Sequence, residues 1–510
     1  MALSRRYFFF GSVLAGAIPK GGFGSTPSLK AAGYKSPNEK LNIGSIGAAG
    51  KAASDIDGCA HTENIVALCD VDDQNVAKAK TYEKYEKATK YKDFRKMLDK
   101  EGSNIDAMIV TIPDFMHATA ALWCMERGKH VYVQKPLAHT ITEARMLNDA
   151  ATRYKVATQM GNQGYSNEGT RQCAEMIWSG EIGNVTEVHA WTDRPWWPQG
   201  LTEIPAPNPV PSTLDWDLWL GKANPRPFTI GGEGYPNQYG NFYQPFNWRG
   251  FFDFGCGALG DMACHILGAP NMALKLTERA PTSVECVEKE GASSFMYPKR
   301  SLIRFDFPAY ANMPALKLFW HDGMKENPKI AGVPDGEWLG DLPRIRRPQP
   351  QAGAPAQQAH PPVHPPEQII GSVFNYEAFM ARKTEGEMAP NQQPNGSVFI
   401  GDKGIITTGT YGENTRLIPV EKMKDYKFPP ELLTRSPGHY RDWIRACKGG
   451  DPACSNFSVA APMTEWILLG TIALRVEGKL DWDSAHMRIT NNQEANKYVK
   501  PFIRKGWQMT

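Results

Sequence analysis

The sequence predicts an α/β protein in two parts, with a parallel sheet wound by helices in the first and an open, mostly antiparallel sheet in the second. Between residues 40 and 158, short apolar runs alternate with helical stretches, which is the pattern of βαβ units. Beyond residue 158, longer β-prone runs follow one another without regular intervening helices. A chain of 510 residues is also too long for one ordinary core and suits two domains.

Four apolar runs in the first part are the predicted strands. They are residues 41–46, 65–69, 107–110 and 130–133. Helical stretches lie between them, notably residues 93–100 and 118–127, and Gly128 follows the second as a helix stop. Strands joined by helices in this way run parallel, with right-handed crossovers.

The second part begins with a predicted helix at residues 168–179, which ends at a glycine. β-prone runs follow at 185–192, 302–307 and 316–320, and helices return at 440–447 and 463–476. Residues 340–368 form a proline- and glutamine-rich insert that cannot build a core, so we expect an exposed loop. We therefore divide the chain into a leader and linker, a first domain and a second domain: 1–39, 40–158 and 159–510.

Composition excludes several classes of partner. Hydrophobic residues make up 41% and charged residues 22%, as in a soluble globular enzyme. The formal net charge of +3 is small for this length, so we expect no nucleic-acid partner. Nine cysteines occur without a Cys-x-x-Cys pair, which favours buried thiols over disulfides, and no Cys/His spacing predicts a metal site.

The N-terminus resembles an export signal. Ser4-Arg5-Arg6 opens a twin-arginine pattern, an apolar run extends from Phe8 to Ala17, and the small residues 15–17 suit a cleavage site. The run is too short to span a bilayer, which needs about 20 residues, so we expect no stable membrane insertion after cleavage. We expect export to the periplasm by the twin-arginine pathway; a disordered or amphipathic N-terminus is the alternative.

A glycine-containing turn follows the first predicted strand and opens a helix. It reads Gly47-Ala48-Ala49-Gly50, and its backbone N–H groups and the helix N-terminus would face a pyrophosphate. Ala49 stands where the G-x-G-x-x-G fingerprint has its second glycine, so the turn alone is weak support. Asp70 ends the second strand, where an acid hydrogen-bonds the ribose hydroxyls and repels a 2′-phosphate. The cofactor predicted is NAD rather than NADP.

Three further segments resemble the Gfo/Idh/MocA family of oxidoreductases. They are Thr111 to His117, Val131 to Ala138 with its Lys-Pro pair, and Trp248 to His265 with an Asp-x-x-x-His pair. The resemblance implies a Rossmann dinucleotide-binding domain, an α+β substrate domain and a homo-oligomer. It also implies catalytic roles for Lys135, Asp261 and His265, and cofactor contacts beyond the turn and Asp70 at Thr111, Pro113, His117, Gln134 and Lys135. The departure is Gln134, which replaces the glutamate of the family's Glu-Lys-Pro signature and cannot ionise.

The chemistry requires such residues independently. Oxidation of a secondary alcohol needs a base for the hydroxyl proton and a donor to the developing oxyanion. Lys135 could supply both, and burial near a cationic nicotinamide would lower its pKa. Asp261 and His265 are four residues apart, so on a helix their side chains share one face. There His265 would exchange the proton while Asp261 positions it or binds a hydroxyl.

The aromatic content favours a carbohydrate substrate. Tryptophans and tyrosines crowd the front of the second domain, and aromatic faces bind the C–H faces of sugars, although packing explains many of them equally well. We expect substrate contacts from Asn162, Gln163, Trp248, Arg249 and Asp261.

Three functions remain open: a sugar, glycoside or cyclitol dehydrogenase, a glycosidase or lyase that oxidises the sugar transiently with NAD, and a non-catalytic sugar-binding protein. Retention of Lys135 and His265 disfavours the third, and retention of Lys135 favours the first over the second. An exported enzyme meets no soluble nicotinamide pool, so we expect tightly bound NAD.

Overall fold

The computed structural model describes residues 39–291, 293–342, 373–385 and 395–508. The twin-arginine segment lies outside the described residues. So does the proline-rich insert, apart from residues 340–342.

Six strands of the described chain form one parallel sheet. They are β1 (Asn42–Ile46), β2 (Asn64–Cys69), β3 (Thr89–Tyr91), β4 (Ala107–Val110), β5 (His130–Val133) and β6 (Thr158–Met160). The strand order is β3-β2-β1-β4-β5-β6, all neighbours are parallel, and the order reverses between β1 and β4. This is the order of a dinucleotide-binding α/β sheet, whose ligand lies in the crevice at that reversal. The predicted parallel sheet is confirmed.

Helices wind this sheet, and local sequence signals set their ends. They are α1 (Lys51–Ala60), α2 (Asp73–Ala79), α3 (Thr81–Lys84), α4 (Phe94–Glu101), α5 (His117–Met125) and α6 (Ile141–Tyr154). Asp93 caps α4, and Thr140 forms a capping box with Glu143 at the start of α6. Gly128 follows α5 with φ +70°, a conformation that favours glycine.

Nine strands of the described residues form the second sheet. They are β7 (Val185–Trp191), β8 (Ser283–Glu290), β9 (Arg300–Phe307), β10 (Leu316–Asp322), β11 (Gly396–Gly401), β12 (Ile405–Thr408), β13 (Arg416–Ile418), β14 (Leu480–Asp483) and β15 (Arg488–Ile489). Their order is β13-β12-β11-β7-β10-β9-β8-β14-β15, and every pair is antiparallel except β7–β10. The prediction of an open, mostly antiparallel sheet is confirmed.

The remaining helices cover one face of this sheet or return to the first one. They are α7 (Glu168–Trp178), α8 (Trp216–Leu220), α9 (Gly257–Ile266), α10 (Gly268–Ala273), α11 (Tyr376–Glu385), α12 (His439–Cys447) and α13 (Phe457–Ala473). Alternate residues of β9 and β10 are buried, and Trp466 of α13 packs edge-on against Phe305 and Phe307 of β9. Helix α12 instead packs on the first domain, where Tyr440 and Trp443 contact Tyr132 of β5.

All nine cysteines lie among the described residues as free thiols, and seven of them are buried. Within the described ranges, no helix has both the length and the apolar content needed to cross a bilayer. The same ranges contain no group of three or more His, Cys, Asp or Glu side chains arranged to hold a metal ion.

Candidate active site

The glycine turn between β1 and α1 leaves room for a phosphate. Gly47 has φ +95°, and a Cβ there would lie 2.1 Å from the carbonyl oxygen of Thr111, so only glycine fits. Gly50 has φ +55°, and nothing lies within 4 Å of the Cβ position. It precedes α1, and no side chain caps the helix there, although the N–H of Ala52 donates to the carbonyl oxygen of Ala49 at 3.1 Å. Ala48 and Ala49 complete the turn, the first buried and the second half-buried.

Asp70 lies against this turn. Its Oδ2 accepts a hydrogen bond from the backbone N–H of Ala48 at 2.8 Å, and its Oδ1 accepts from that of Asp72 at 3.0 Å. Burial raises the pKa of this carboxyl to about 6, against the lowering effect of those two hydrogen bonds. The turn, the open helix N-terminus and this acid at the end of β2 together fit an adenine dinucleotide.

Three residues predicted to contact the cofactor have defined positions within the protein, two of them through side-chain hydrogen bonds. Both ring nitrogens of His117 lie 2.7 Å from backbone carbonyl oxygens, Nδ1 from Pro136 and Nε2 from Ile112, and burial lowers its pKa to about 4. The ring therefore ties together the loops after β4 and β5. Thr111 donates from Oγ1 to Oδ2 of Asp55 at 2.9 Å. Pro113 precedes a short 3₁₀ turn, Asp114–Met116.

Lys135 and Asp261 meet across the two domains. Lys135 follows β5, whereas Asp261 lies on α9 of the second domain. The ammonium Nζ lies 2.9 Å from Oδ1 of Asp261 and 2.6 Å from its backbone oxygen. Both side chains are largely buried. The structure thus brings together two of the three residues predicted to be catalytic, at the carboxyl end of the parallel strands.

Two arginines share the same carboxylate. Arg194 donates from Nη1 to Oδ2 of Asp261 at 2.8 Å, and Arg249 donates from Nε to Oδ1 at 3.2 Å. Burial alone would raise the pKa of Asp261, but Lys135, Arg194 and Arg249 hold it well below its usual range. Asp261 is therefore an ionised anchor for three cations. Arg249 was predicted from the sequence as a substrate contact, whereas Arg194, which follows β7, was not.

His265 lies one turn beyond Asp261 on α9, as the spacing predicts. Burial lowers its pKa well below the ordinary value, and the charge of Lys135 lowers it further. Its Nδ1 is enclosed and has no hydrogen-bond partner among the described residues. Its ring packs edge-on against Tyr411, with the ring centroids 4.9 Å apart. His265 is thus a neutral imidazole beside the Lys135–Asp261 pair, and Tyr411 is a neighbour that sequence reasoning missed.

Asn162 and Gln163 are buried and engaged in the protein interior. Asn162 accepts from Ser455 Oγ at 2.6 Å and donates to the backbone oxygen of Cys264 at 3.5 Å, next to His265. Gln163 donates from Nε2 to the hydroxyl of Tyr132 at 3.1 Å. The structure brings Asn162 to the end of α9 and directs the donor group of Gln163 toward the first sheet.

Most of the clustered tryptophans pack in the core. Four are buried at 9% exposure or less: Trp191, Trp197, Trp216 and Trp219. Trp248 is buried as well, and it lies beneath the guanidinium of Arg249 with 4.3 Å between Cζ and the ring centroid. Trp196 differs because 51% of it is exposed, and the guanidinium of Arg194 stacks over its ring at 3.6 Å. Of these rings, Trp196 offers an open face beside the Asp261 cluster.

Asp114 adds a buried carboxyl to this region. Its Oδ2 accepts from the backbone N–H of Cys256 at 3.1 Å. Burial raises its pKa to about 7, although the charges of Arg249 and Lys135 oppose the increase. The sequence offered Asp114 only as part of a motif. Arg194 could have been noticed as a cation in an Arg-Pro-Trp-Trp run directly after a strand, whereas no local pattern marks Tyr411.

Two family matches agree with this architecture. Residues 41–162 match the NAD-binding Rossmann-fold domain of the Gfo/Idh/MocA oxidoreductase family. Residues 178–300 match the C-terminal alpha/beta domain of the same family. Two segments of the chain thus match the two domains of this oxidoreductase family, and the first of them is an NAD-binding Rossmann domain.

Individual relatives cover parts of the chain. Glucose-6-phosphate 3-dehydrogenase of Bacillus subtilis (strain 168) is 28% identical over 149 residues, which is 29% of this chain and 40% of that protein. A glycosyl hydrolase family 109 protein of Solibacter usitatus (strain Ellin6076) is 30% identical over 176 residues, 32% of this chain and 39% of that protein. The chain thus aligns with about two fifths of the length of these curated relatives.

One solved structure extends the likeness of the fold over most of the chain. The WlbA dehydrogenase of Bordetella pertussis, in complex with NADH and UDP-GlcNAcA, superposes with a TM-score of 0.52 at 13% identity. The superposition covers 87% of this chain and 99% of that chain. At this identity the likeness shows the fold.

Proposed function

We propose that the protein is an NAD-dependent oxidoreductase acting by hydride transfer on a hydroxyl or carbonyl group of a sugar, glycoside or cyclitol. The observation that carries this proposal is the meeting of Lys135, Asp261 and the neutral His265 at the carboxyl end of the parallel strands. That edge is where ligands of such sheets bind. The dehydrogenase relative acts, by its name, on a sugar phosphate.

The residues divide the acid–base work between them. When bound, NAD supplies the hydride acceptor. The ammonium of Lys135, held by Asp261, donates a hydrogen bond to the substrate oxygen and stabilises negative charge there. His265 is uncharged, so it can accept the hydroxyl proton as the carbonyl forms. The C–H electron pair leaves as hydride and the proton goes to the imidazole, which balances the two-electron oxidation.

The alternative is a glycosidase or lyase that uses the same oxidation transiently. The specific observation in its favour is the identity of 30% to a family 109 glycosyl hydrolase protein. In that cycle the cofactor is regenerated within each turnover, so no NAD has to be added. Retention of Lys135 keeps the net oxidoreductase as our main proposal.

We also propose that the chain is exported through the twin-arginine pathway to the periplasm with NAD tightly bound. The support is the Arg5-Arg6 pair before a short apolar run, because this pathway carries proteins that have already folded. Asp70 supports NAD over NADP, since an ionised carboxyl repels a 2′-phosphate. We propose a homo-oligomer too, and light scattering of the purified protein tests that part directly.

The test uses purified protein and two assays. Incubation with a panel of sugars, cyclitols and sugar phosphates, with NAD added, should produce absorbance at the wavelength of NADH for a net dehydrogenase. Incubation with nitrophenyl glycosides without added NAD should release nitrophenol only for the glycosidase. Protein that binds NAD and sugar but turns over in neither assay would be a sugar-binding protein, which would refute both activities.

A further inference from the structure

A fully buried carboxylate, Asp55 on α1, lies beneath the predicted cofactor site. Its Oδ1 accepts from Lys51 Nζ at 2.5 Å and from the hydroxyl of Tyr440 at 2.7 Å. Its Oδ2 accepts from Thr111 Oγ1 at 2.9 Å and from Gln134 Nε2 at 2.8 Å. Four elements therefore converge on one side chain: the helix after the glycine turn, the ends of β4 and β5, and helix α12.

This carboxylate sets the orientation of the neighbouring amide. An ionised carboxylate only accepts hydrogen bonds, so the NH₂ end of Gln134 must face Asp55. The amide oxygen Oε1 is then left to accept from the backbone N–H of Lys135, at 3.3 Å. Gly161 provides the space, because a Cβ there would lie 2.6 Å from Cδ of Gln134.

A glutamate at position 134 would not suit this arrangement. Its carboxylate would replace the donor that lies 2.8 Å from Oδ2 of Asp55. Two like charges at this distance cannot both ionise, and one of the two pKa values rises strongly. The amide is thus the side chain that a buried acid on α1 requires.

We propose that Asp55 is a positioning residue, which supplies from α1 the carboxylate that orients Gln134 and, through it, the backbone of Lys135. Asp55 also holds Thr111, whose carbonyl oxygen would lie 2.1 Å from a Cβ at position 47, so this residue lies against the glycine turn. Where Gln134 replaces the glutamate of the family signature, the negative charge is therefore supplied by Asp55, and the contacts around position 134 are kept. This inference deepens the proposed function, but it can be judged on cofactor binding alone.

Among the described side chains that donate hydrogen bonds to Asp55, one is a cation. Tyr440 donates to it, and Tyr132 and Cys59 lie within range of its charge. Burial raises the pKa of all three well above the ordinary values, so none of them ionises near neutral pH. That cation is Lys51, the ion-pair partner on the same helix.

The experiment is a charge-exchange cycle with Gln134→Glu, Asp55→Asn and the double variant. We measure the NADH dissociation constant by fluorescence at pH 5.5 to 8.5, and the melting temperature of each protein. Each single variant should bind NADH about tenfold more weakly at pH 8, a loss of about 1.4 kcal/mol. The double variant restores one carboxylate and one amide, so it should regain most of the loss.

The pH profile separates positioning from general destabilisation. In Gln134→Glu the two carboxyls share a proton as the pH falls, and the protonated one donates as the amide did, so NADH binding should approach that of the wild type measured at the same pH as the pH falls toward 5.5. Asp57→Asn on the same helix and the exposed Gln493→Glu are the matched controls, and both should bind NADH like the wild type.

Two results would overturn the proposal: Gln134→Glu binding NADH like the wild type at pH 8, or a folded double variant no better than the weaker single variant. If Asp55→Asn does not fold, the proposal is tested by whether NADH binding of Gln134→Glu approaches that of the wild type at low pH. Wild-type protein that binds NADH but oxidises no sugar would refute the proposed function. The comparison of NADH binding among the variants would still test the role of Asp55.

Discussion

Arg194 donates from Nη1 to Oδ2 of Asp261 at 2.8 Å, although the two residues lie on different elements of the second domain. The same guanidinium stacks over Trp196, whose ring is half exposed. One side chain therefore links the anchor carboxylate to the open aromatic face. This link connects the Lys135–Asp261 pair to an exposed aromatic ring, the kind of surface on which our proposal expects a sugar ring to stack.

The first prediction concerns Arg194→Met. Asp261 has a pKa held low by three cations, so removing one of them raises it. The ionised form of Asp261 anchors Lys135. As the pH is lowered, the variant should therefore lose activity at a higher pH than the wild type does. The measurement is the pH dependence of kcat/KM. Arg475→Met is the control, since Arg475 stacks on Tyr498 and has no ion pair to Asp261. If the acid limb of the kcat/KM profile of Arg194→Met coincides with that of the wild type, Arg194 does not keep Asp261 ionised.

The sequence predicted the exact bounds of two central strands of the parallel sheet. Residues 107–110 and 131–133 are uninterrupted apolar runs, and the structure forms strands at 107–110 and 130–133, which are the predicted bounds. The edge strand β3 was missed because its residues, Thr89 to Tyr91, are polar or only half-buried and resemble a loop. Strands β11 to β13 were missed as well; they follow the proline-rich insert, and they are defined by pairing of β11 with β7, of β12 with β11 and of β13 with β12.

The site was predictable where one element carries two functional residues. Asp261 and His265 share α9, so their spacing alone placed them together. The partners that converge from distant parts of the chain were not predictable. Arg194, Tyr411 and Asp55 meet the motif residues only through tertiary packing, and no periodicity encodes that. The sequence also did not predict that the side chain of Gln163 donates to Tyr132, since an amide after a strand can face either way.

The second prediction concerns cofactor selectivity. Asp70→Ser removes the ribose acceptor and the repulsion of a 2′-phosphate, so the ratio of NAD to NADP affinity should fall by about tenfold or more. Dissociation constants for both cofactors measure this. Asp73→Ser is the control, because Asp73 lies in the next turn and pairs with Lys92 at the surface. Selectivity that does not move would show that Asp70 does not face the ribose.

The third prediction is a pH dependence of cofactor binding. Burial raises the pKa of Asp70 to about 6 in the free protein. Ribose hydroxyls donate to the ionised form and lower that pKa on binding, so affinity is full above about pH 6 and weakens as the pH falls below it. Titration calorimetry from pH 5 to 8 should show this inflection, and Asp70→Asn should abolish it. A flat profile in the wild type would contradict the assignment.

The fourth prediction follows from the export proposal. Protein isolated from the periplasm should release close to one equivalent of NAD(H) per chain on denaturation, because no soluble nicotinamide pool would refill it there. Enzymatic cycling of the supernatant measures the released cofactor. The matched sample is the chain expressed with Arg5 and Arg6 both changed to Lys, which should stay in the cytoplasm. Periplasmic protein that contains no NAD(H) and binds NAD only weakly would refute export with tightly bound cofactor.

The last prediction concerns Lys135 and His265 as one proton-transfer unit. Lys135→Met keeps the apolar stem and removes the ammonium that contacts Asp261, so NAD should still bind while hydride transfer falls by about 10²–10⁴-fold. His265→Ala should cost a similar factor, because the neutral imidazole beside that pair is lost. Since groups that act together are non-additive, the double variant should lose far less than the product of the two factors. Single-turnover reduction of bound NAD measures each rate. If both single variants keep turnover within about threefold of the wild type, an effect under about 1 kcal/mol, other residues carry the reaction and the glycosidase or binding alternatives gain.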